Sequence, residues 1–336
     1  MAAAADAMKV LLTGDHDYPL ARVSAGRRPK PMPSGSAQRV HELIAKGLAE
    51  LGHEVVVCLA NEPTGAPPPG IRVTRTLERA DILHTYALRG PRWEEQWRGP
   101  YVATVHLDPR TRGVTEVPAP WIFASRTMAQ AYGRTRYVVN GIDPAEYRFE
   151  ERAGDYLLFM AAMDNAVEKG LAIAVETARR TATKLVVAGT ARTQETIDAV
   201  TALCREAEYV GDVQGEEKAE LLANAKALLF PSQLNEVCPV AVAEALMSGT
   251  PVIASASGAL PELVRAETGF VCRTAEEYVT AVERIGTIDR HTCRAVALRE
   301  FHYLRMAGDY IDQYRREIGQ IGPIGQIGQT RGAFVP

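Results

Sequence analysis

The sequence predicts an α/β protein of two doubly wound domains facing a cleft. Three observations carry this reading. Strand-like apolar runs alternate with helix-like runs along the chain, the pattern of parallel βα units. The 336 residues amount to about two domains of common size. Between the halves, Val139–Glu151 carries two turn signals, Asn140-Gly141 and Asp143-Pro144, and then a polar run before a fresh strand. The expected divisions are a disordered extension over residues 1–8, a first domain over 9–143, a second over 144–317 and a flexible tail over 318–336.

In the first half, strands are expected at Val10–Thr13, Glu54–Leu59, Ile82–Tyr86, Val102–His106 and Trp121–Ala124. The first long helix is expected from Ala37 to Leu51, because Val40, Leu43, Ile44, Leu48 and Leu51 keep helical spacing and Gly52 closes it. In the second half, strands are expected at Tyr156–Met160, Lys184–Ala188, Tyr209–Val210, Ala227–Phe230, Pro251–Ala254 and Gly269–Val271. Helices are expected at Lys169–Arg180, Gln194–Cys204, Glu216–Asn224, Val240–Met247, Ala275–Ile285 and Asp289–Glu317, the last long enough to be broken. Ligands of open α/β sheets bind beyond the carboxyl ends of the strands, so a cleft between two such sheets faces both sets of ends.

Composition narrows the function. A hydrophobic share of 46% and a charged share of 24% are those of an ordinary globular chain. The net charge of −3 gives no general pull toward nucleic acid or an anionic membrane. Five scattered cysteines without CxxC spacing read as reduced, mostly buried thiols of a cytoplasmic protein. No His/Cys cluster with metal-ligand spacing appears. No run approaches the ~20 apolar residues of a membrane span. MAAAADAM at the start lacks the features of a signal peptide. Ile318–Gln329, IGQIGPIGQIGQ, is a short repeat read as flexible.

The segment Asn235–Glu262 is the richest in chemistry. Glu236 and Glu244 stand eight positions apart and flank a helix start near Pro239. Free N–H groups and the positive dipole end of a helix suit a phosphate. Each carboxylate accepts hydrogen bonds from hydroxyls, as a sugar ring requires. A helix glutamate is more often a solvated surface group. Glu244, however, is embedded among Val240, Ala241, Val242, Ala243, Ala245, Leu246 and Met247, where an unpartnered charge is costly.

Further signals follow one another in order: NGID at Asn140–Asp143, EKG at Glu168–Gly170, VVAGT at Val186–Thr190, YVGDV at Tyr209–Val213 and LLANAKALLFPS at Leu221–Ser232. With the spaced glutamates and GTPVIASASGALPELV, the chain from Lys9 to Glu317 resembles the GT-B glycosyltransferases, and specifically the retaining enzymes of glycosyltransferase family 4. The resemblance implies two Rossmann-like domains, with a C-terminal helix crossing back to the first. It implies transfer of a sugar from a nucleotide diphosphate sugar, UDP- or GDP-linked, to a small-molecule or glycan acceptor, with retention and without metal or other cofactor. Glu236 and His106 match the positions at the transferred sugar. Glu244 matches the ribose-holding glutamate, Val240 and Ala241 the helix start facing the diphosphate, Lys169 the phosphate-binding lysine, and Val210 the position whose backbone meets the base. Gly35 and Ser36 match the first domain's Gly-rich loop, though Ser34 or Ser36 serves equally as an N-cap. His84 is a second strand-end histidine.

The chain departs from the family at two places. Ala161-Ala162 and Met163-Asp164-Asn165 stand where Gly-Arg is usual, so a diphosphate-neutralising arginine is missing. Arg22, Arg27, Arg28 and Lys30 form a basic stretch that would substitute, or a solvated loop; of these, Arg27 and Arg28 are the named candidates. Cys238-Pro239 replaces the common Phe-Gly and removes an N–H at the helix start. Two alternatives stay open: a nucleotide-sugar 2-epimerase of similar architecture, and a degenerate, non-catalytic binder of nucleotide-sugars. A dinucleotide dehydrogenase is disfavoured, since no GxGxxG follows Val10–Thr13.

Overall fold

The structure, a computed structural model, describes residues 7–14, 36–60, 67–88 and 92–321, with only the backbone of residues 36, 320 and 321. Gly35, Ser34, Arg22, Arg27, Arg28 and Lys30 lie outside the described residues, as does the repeat beyond Ile321.

The first half holds β1 (Lys9–Gly14), α1 (Ser36–Glu50), β2 (Glu54–Leu59), β3 (Ile71–Thr74), β4 (Ile82–Tyr86), α2 (Trp93–Gln96), β5 (Tyr101–Val105), β6 (Trp121–Phe123) and α3 (Arg126–Ala131). The second half holds β7 (Tyr156–Met160), α4 (Leu171–Arg180), β8 (Lys184–Ala188), α5 (Gln194–Leu203), β9 (Glu208–Gly211), α6 (Gly215–Asn224), β10 (Ala227–Phe230), α7 (Val240–Met247), β11 (Val252–Ser255), α8 (Leu260–Leu263), β12 (Gly269–Cys272), α9 (Ala275–Arg284), α10 (Arg290–Glu300) and α11 (Tyr303–Ile321).

The two sheets run in the orders β3-β2-β1-β4-β5-β6 and β12-β11-β10-β7-β8-β9. Every pairing in both is parallel. Counted from the first strand of each half, the two orders are the same doubly wound topology. The strand direction of winding switches between β1 and β4 in one sheet and between β7 and β10 in the other. Helices cover both faces, so the central strands are mostly apolar; Val10, Leu11, Leu12, Leu157, Leu158, Leu228 and Leu229 are fully buried.

The predicted strands recur with ends shifted by at most one residue; β5 stops at Val105, so His106 lies just past its end. β3 is an edge strand without a sequence prediction, because only Ile71 of its four residues is buried. The predicted helix over 289–317 does break. His302 forms a parallel bridge with Ile142 of the linker, with Ile142 N–H on Phe301 O (2.7 Å) and Tyr303 N–H on Ile142 O (3.1 Å). Beyond that bridge α11 crosses back and packs along α1 of the first half.

Three expectations are corrected. Met8 belongs to the fold rather than to an extension: its N–H meets His53 Nδ1 at 3.1 Å, and its side chain packs on the core. The first four residues of the expected tail are the end of α11, because Ile318 continues its apolar stripe onto the core. His84 is a core residue. It sits in the middle of β4, fully buried, with Nδ1 2.7 Å from the Tyr314 hydroxyl and Nε2 2.6 Å from Thr104 Oγ1; Thr104 in turn meets the Tyr310 hydroxyl at 2.7 Å. These bonds pin α11 to the first sheet.

Burial, with the nearby His106, pushes the His84 pKa down to about 3. The unfolded chain binds this proton near pH 6.5 and the folded one does not, so the stabilisation is full above that pH and is lost as pH falls toward 3. His84 alone is expected to cost about 2 kcal/mol between roughly pH 7.5 and 5. Denaturant titrations at the two pH values should show a flatter dependence for His84→Gln.

Candidate functional site

Two loops leave the carboxyl ends of β7 and β10, the strands on either side of the second sheet's switch point. The first ends in Glu168-Lys169-Gly170 and opens α4; the second runs from Pro231 to Pro239 and opens α7. They are tied together. Gln233 N–H donates to Glu168 O at 2.8 Å. Gly170 adopts φ 83°, which brings its Cα so near Pro231 that a Cβ would lie 2.2 Å from the Pro231 oxygen.

This places Lys169 against Glu236. The Lys169 Nζ stands 2.6 Å from Glu236 Oε1, and the Ser232 hydroxyl donates to the same oxygen at 2.5 Å. Glu236 is 7% exposed. A carboxylate so buried is costly without such partners. The other oxygen takes no hydrogen bond from a described residue. The loop is held from behind by Ala259 N–H on Glu236 O (2.7 Å), Ser257 Oγ on Leu234 O (2.6 Å) and Ser255 Oγ on Ser232 O (2.5 Å). Those residues are the SASGA stretch after β11.

α7 is apolar and almost wholly buried, and no side chain caps its start. Pro239 takes the N-cap position, so the open donors at the first turn are those of Val240 and Ala241. Cys238, just before, is no nucleophile at neutral pH: burial pushes its thiol up to about 12. Glu244, in the second turn, is 6% exposed. Its Oε1 accepts from Lys218 Nζ of α6 at 2.5 Å and from the Tyr147 hydroxyl at 2.8 Å. The buried acid is therefore partnered, as its apolar setting demands.

The first half reaches the same loop. Asp108, two residues after His106, accepts from Asn235 Nδ2 at 2.6 Å, next to Glu236. Burial opposes the charged form of Asp108, but bonds from Arg110, Tyr132 and Asn235 outweigh it and hold its carboxyl well below the usual range. Asn140 of the linker donates to Cys238 O at 3.0 Å. Glu262 reaches across to the start of α3, accepting from Arg126 N–H (3.0 Å), Thr127 N–H (2.8 Å) and Thr127 Oγ1 (2.7 Å).

Of the candidate residues, Lys169 and Glu236 are in contact, and Val240, Ala241 and Glu244 share α7. His106 is half-buried in the loop joined to Asn235, with its ring 5.8 Å from that of Tyr86. Val210 is exposed on the edge strand β9. Ser36 opens α1; Gly35, Arg27 and Arg28 are outside the described residues. Sequence reasoning passed over Ser232, Lys218, Tyr147, Asn235, Asp108 and Glu262. Among the described residues no group of His, Cys, Asp and Glu could hold a metal ion.

Residues 154–287, which hold both loops and both glutamates, match the profile of the family described as Glycosyl transferases group 1. A solved glycosyltransferase involved in avilamycin A biosynthesis superposes with a TM-score of 0.74 and 26% identity, over 93% of this chain and 98% of that one. The fold is GT-B, and its second half is similar to the glycosyl transferases group 1 family. Its fold is also that of the sucrose-phosphate synthase of Thermosynechococcus elongatus (TM-score 0.71, 18% identity, 93% and 99% covered). The HepE protein of Anabaena, solved in complex with UDP-glucose, superposes at 0.68 with 14% identity, over 93% and 100%. Compared as a sequence against curated proteins, the chain matches none. An open helix start, a lysine and two braced carboxylates lie together at the switch point of one sheet, where open α/β sheets take their ligands.

Proposed function

We propose that this protein is a retaining glycosyltransferase of family 4 that moves a sugar from UDP- or GDP-sugar to a small-molecule or glycan acceptor without a metal or other cofactor. The observation that carries the reading is the Lys169–Glu236 contact between the loops of β7 and β10, beside the uncapped start of α7. Glu236 receives hydroxyls of the donor sugar, and Glu244 those of the ribose. Val240 and Ala241 N–H groups and the Lys169 charge take the diphosphate and stabilise it as it leaves. His106 lies at the transferred sugar and Val210 at the base. Gly35 and Ser36 approach the diphosphate from the first domain, where Arg27 and Arg28 supply the charge that Ala161-Ala162 lacks.

The acceptor side is residues 9–143 and the donor side residues 144–317. The complex of HepE with UDP-glucose supports a nucleotide-sugar donor. Among the described residues no helix is long and apolar enough to cross a membrane. The five free cysteines suit a cytoplasmic protein.

Melting curves with UDP, GDP and other nucleotides test the donor. Binding to the folded state adds about 2.7 kcal/mol at a hundredfold excess over Kd, so the preferred nucleotide should raise Tm by several degrees. Turnover should then give a product with the donor's anomeric configuration, in the presence of EDTA. No shift with any nucleotide sinks the reading; an inverted product removes retention, and loss on chelation removes metal independence.

A further inference from the structure

The two glutamates are held in the same way. On Glu236, a lysine (Lys169) and a hydroxyl (Ser232) both bond Oε1. On Glu244, a lysine (Lys218) and a hydroxyl (Tyr147) again both bond Oε1. In neither case does a described residue bond Oε2. A carboxylate fixed at one oxygen keeps the lone pairs of the other aimed in one direction.

We infer that Lys218 and Tyr147 are positioning residues that fix Glu244 so that its free oxygen meets the hydroxyls of the nucleotide's ribose. The inference rests on the ribose-holding role given to Glu244 above. The chemistry agrees at three points. A carboxylate that is 6% exposed is costly to bury without polar partners, and its oxygens accept hydrogen bonds, as a vicinal diol needs. Burial and the Glu244 charge push the Tyr147 pKa well above its usual value, so its hydroxyl keeps its proton and always donates. The two braces come from different elements, Lys218 from α6 and Tyr147 from the linker just past the 3-10 turn Pro144–Glu146. Arg39 of α1 bonds Glu146 in that turn, so the brace is also joined to the first domain.

The test measures binding of UDP and GDP, each against its 2′,3′-dideoxy form, by calorimetry. Hydrogen bonds to a charged acceptor predict that the wild type prefers the ribose form by roughly 10–100-fold. Lys218→Met should collapse that preference while leaving the affinity for the dideoxy form nearly unchanged. Tyr147→Phe should reduce it in part, and Lys218→Arg should restore most of it. Binding of the dideoxy form reports that each variant is folded with its phosphate site intact. If Lys218→Met keeps the full preference, or weakens both forms equally, the positioning role is overturned while the ribose role of Glu244 stands. If the wild type shows no ribose preference, or binds neither nucleotide, the functional reading fails and takes this inference with it.

Discussion

Glu236→Ala is expected to lower transfer by about 10²–10³-fold while the protein stays folded. The carboxylate accepts from the donor sugar's hydroxyls, and charge-assisted bonds of this kind contribute about 1.5–3 kcal/mol each. Where such a bond tightens as the diphosphate departs, the loss appears in kcat as well as KM. Removing Glu236 also leaves Lys169 without its 2.6 Å partner. That side chain is 19% exposed and can turn toward water, so the fold is not left with a wholly buried charge. The stability cost is expected to be about 1–2 kcal/mol. Initial rates at saturating and limiting donor, beside a denaturant titration, separate the two effects. A variant within about threefold of wild type would falsify the role of Glu236 at the donor sugar. Glu236→Gln keeps the shape and loses the charge, and is expected to fall between the two.

Gly258→Ala is expected to disturb the scaffold of the glutamate loop directly. Gly258 adopts φ 56°, and a Cβ there would lie 2.2 Å from Glu236 O and 2.4 Å from Glu236 N. The left-handed backbone alone costs about 1–2 kcal/mol in a residue with a Cβ. The clash is with backbone, which cannot swing aside, so the glutamate loop itself must move. Together these predict a loss of about 2–4 kcal/mol, with weaker donor binding beyond that expected from lost stability. Gly286→Ala is the control, because a Cβ there meets nothing within 4 Å. Chemical denaturation and nucleotide affinity, read on both variants, decide it. Equal behaviour of the two would show that the loop yields freely and that Gly258 does not set the position of Glu236.

The fold was largely legible because buried parallel strands read as short apolar runs between helices of even spacing. Leu157-Leu158-Phe159 and Leu228-Leu229-Phe230 announce themselves in this way. Edge strand β3 did not, since it is short and half-wet. His84 misled for the opposite reason: its sequence neighbours resemble a strand end, but the register places it under α11, a contact 230 residues away. The loops of the site were legible through their order along the chain. Their pairings were not. Lys169 with Glu236, Lys218 with Glu244 and Asp108 with Asn235 are 67, 26 and 127 residues apart, and no local periodicity carries a side-chain contact over such distances. Glu244 shows the middle case. Its apolar surroundings required a partner, and only the structure could say that the partner is a lysine from the preceding helix.

The return of α11 has a consequence for how the molecule is made. The face of the first sheet that carries His84 and Thr104 is closed by Tyr310 and Tyr314 of α11, which follows the whole of the second sheet. The half synthesised first is thus finished last. A growing chain on the ribosome has its second domain nearly entire while the first still waits with α1 uncovered. Premature termination between the end of α10 and Tyr303 therefore does not yield one good domain and one missing one. It yields a second domain without its anchor and a first domain with an open apolar face, the kind of product that cells must hold in chaperones or destroy.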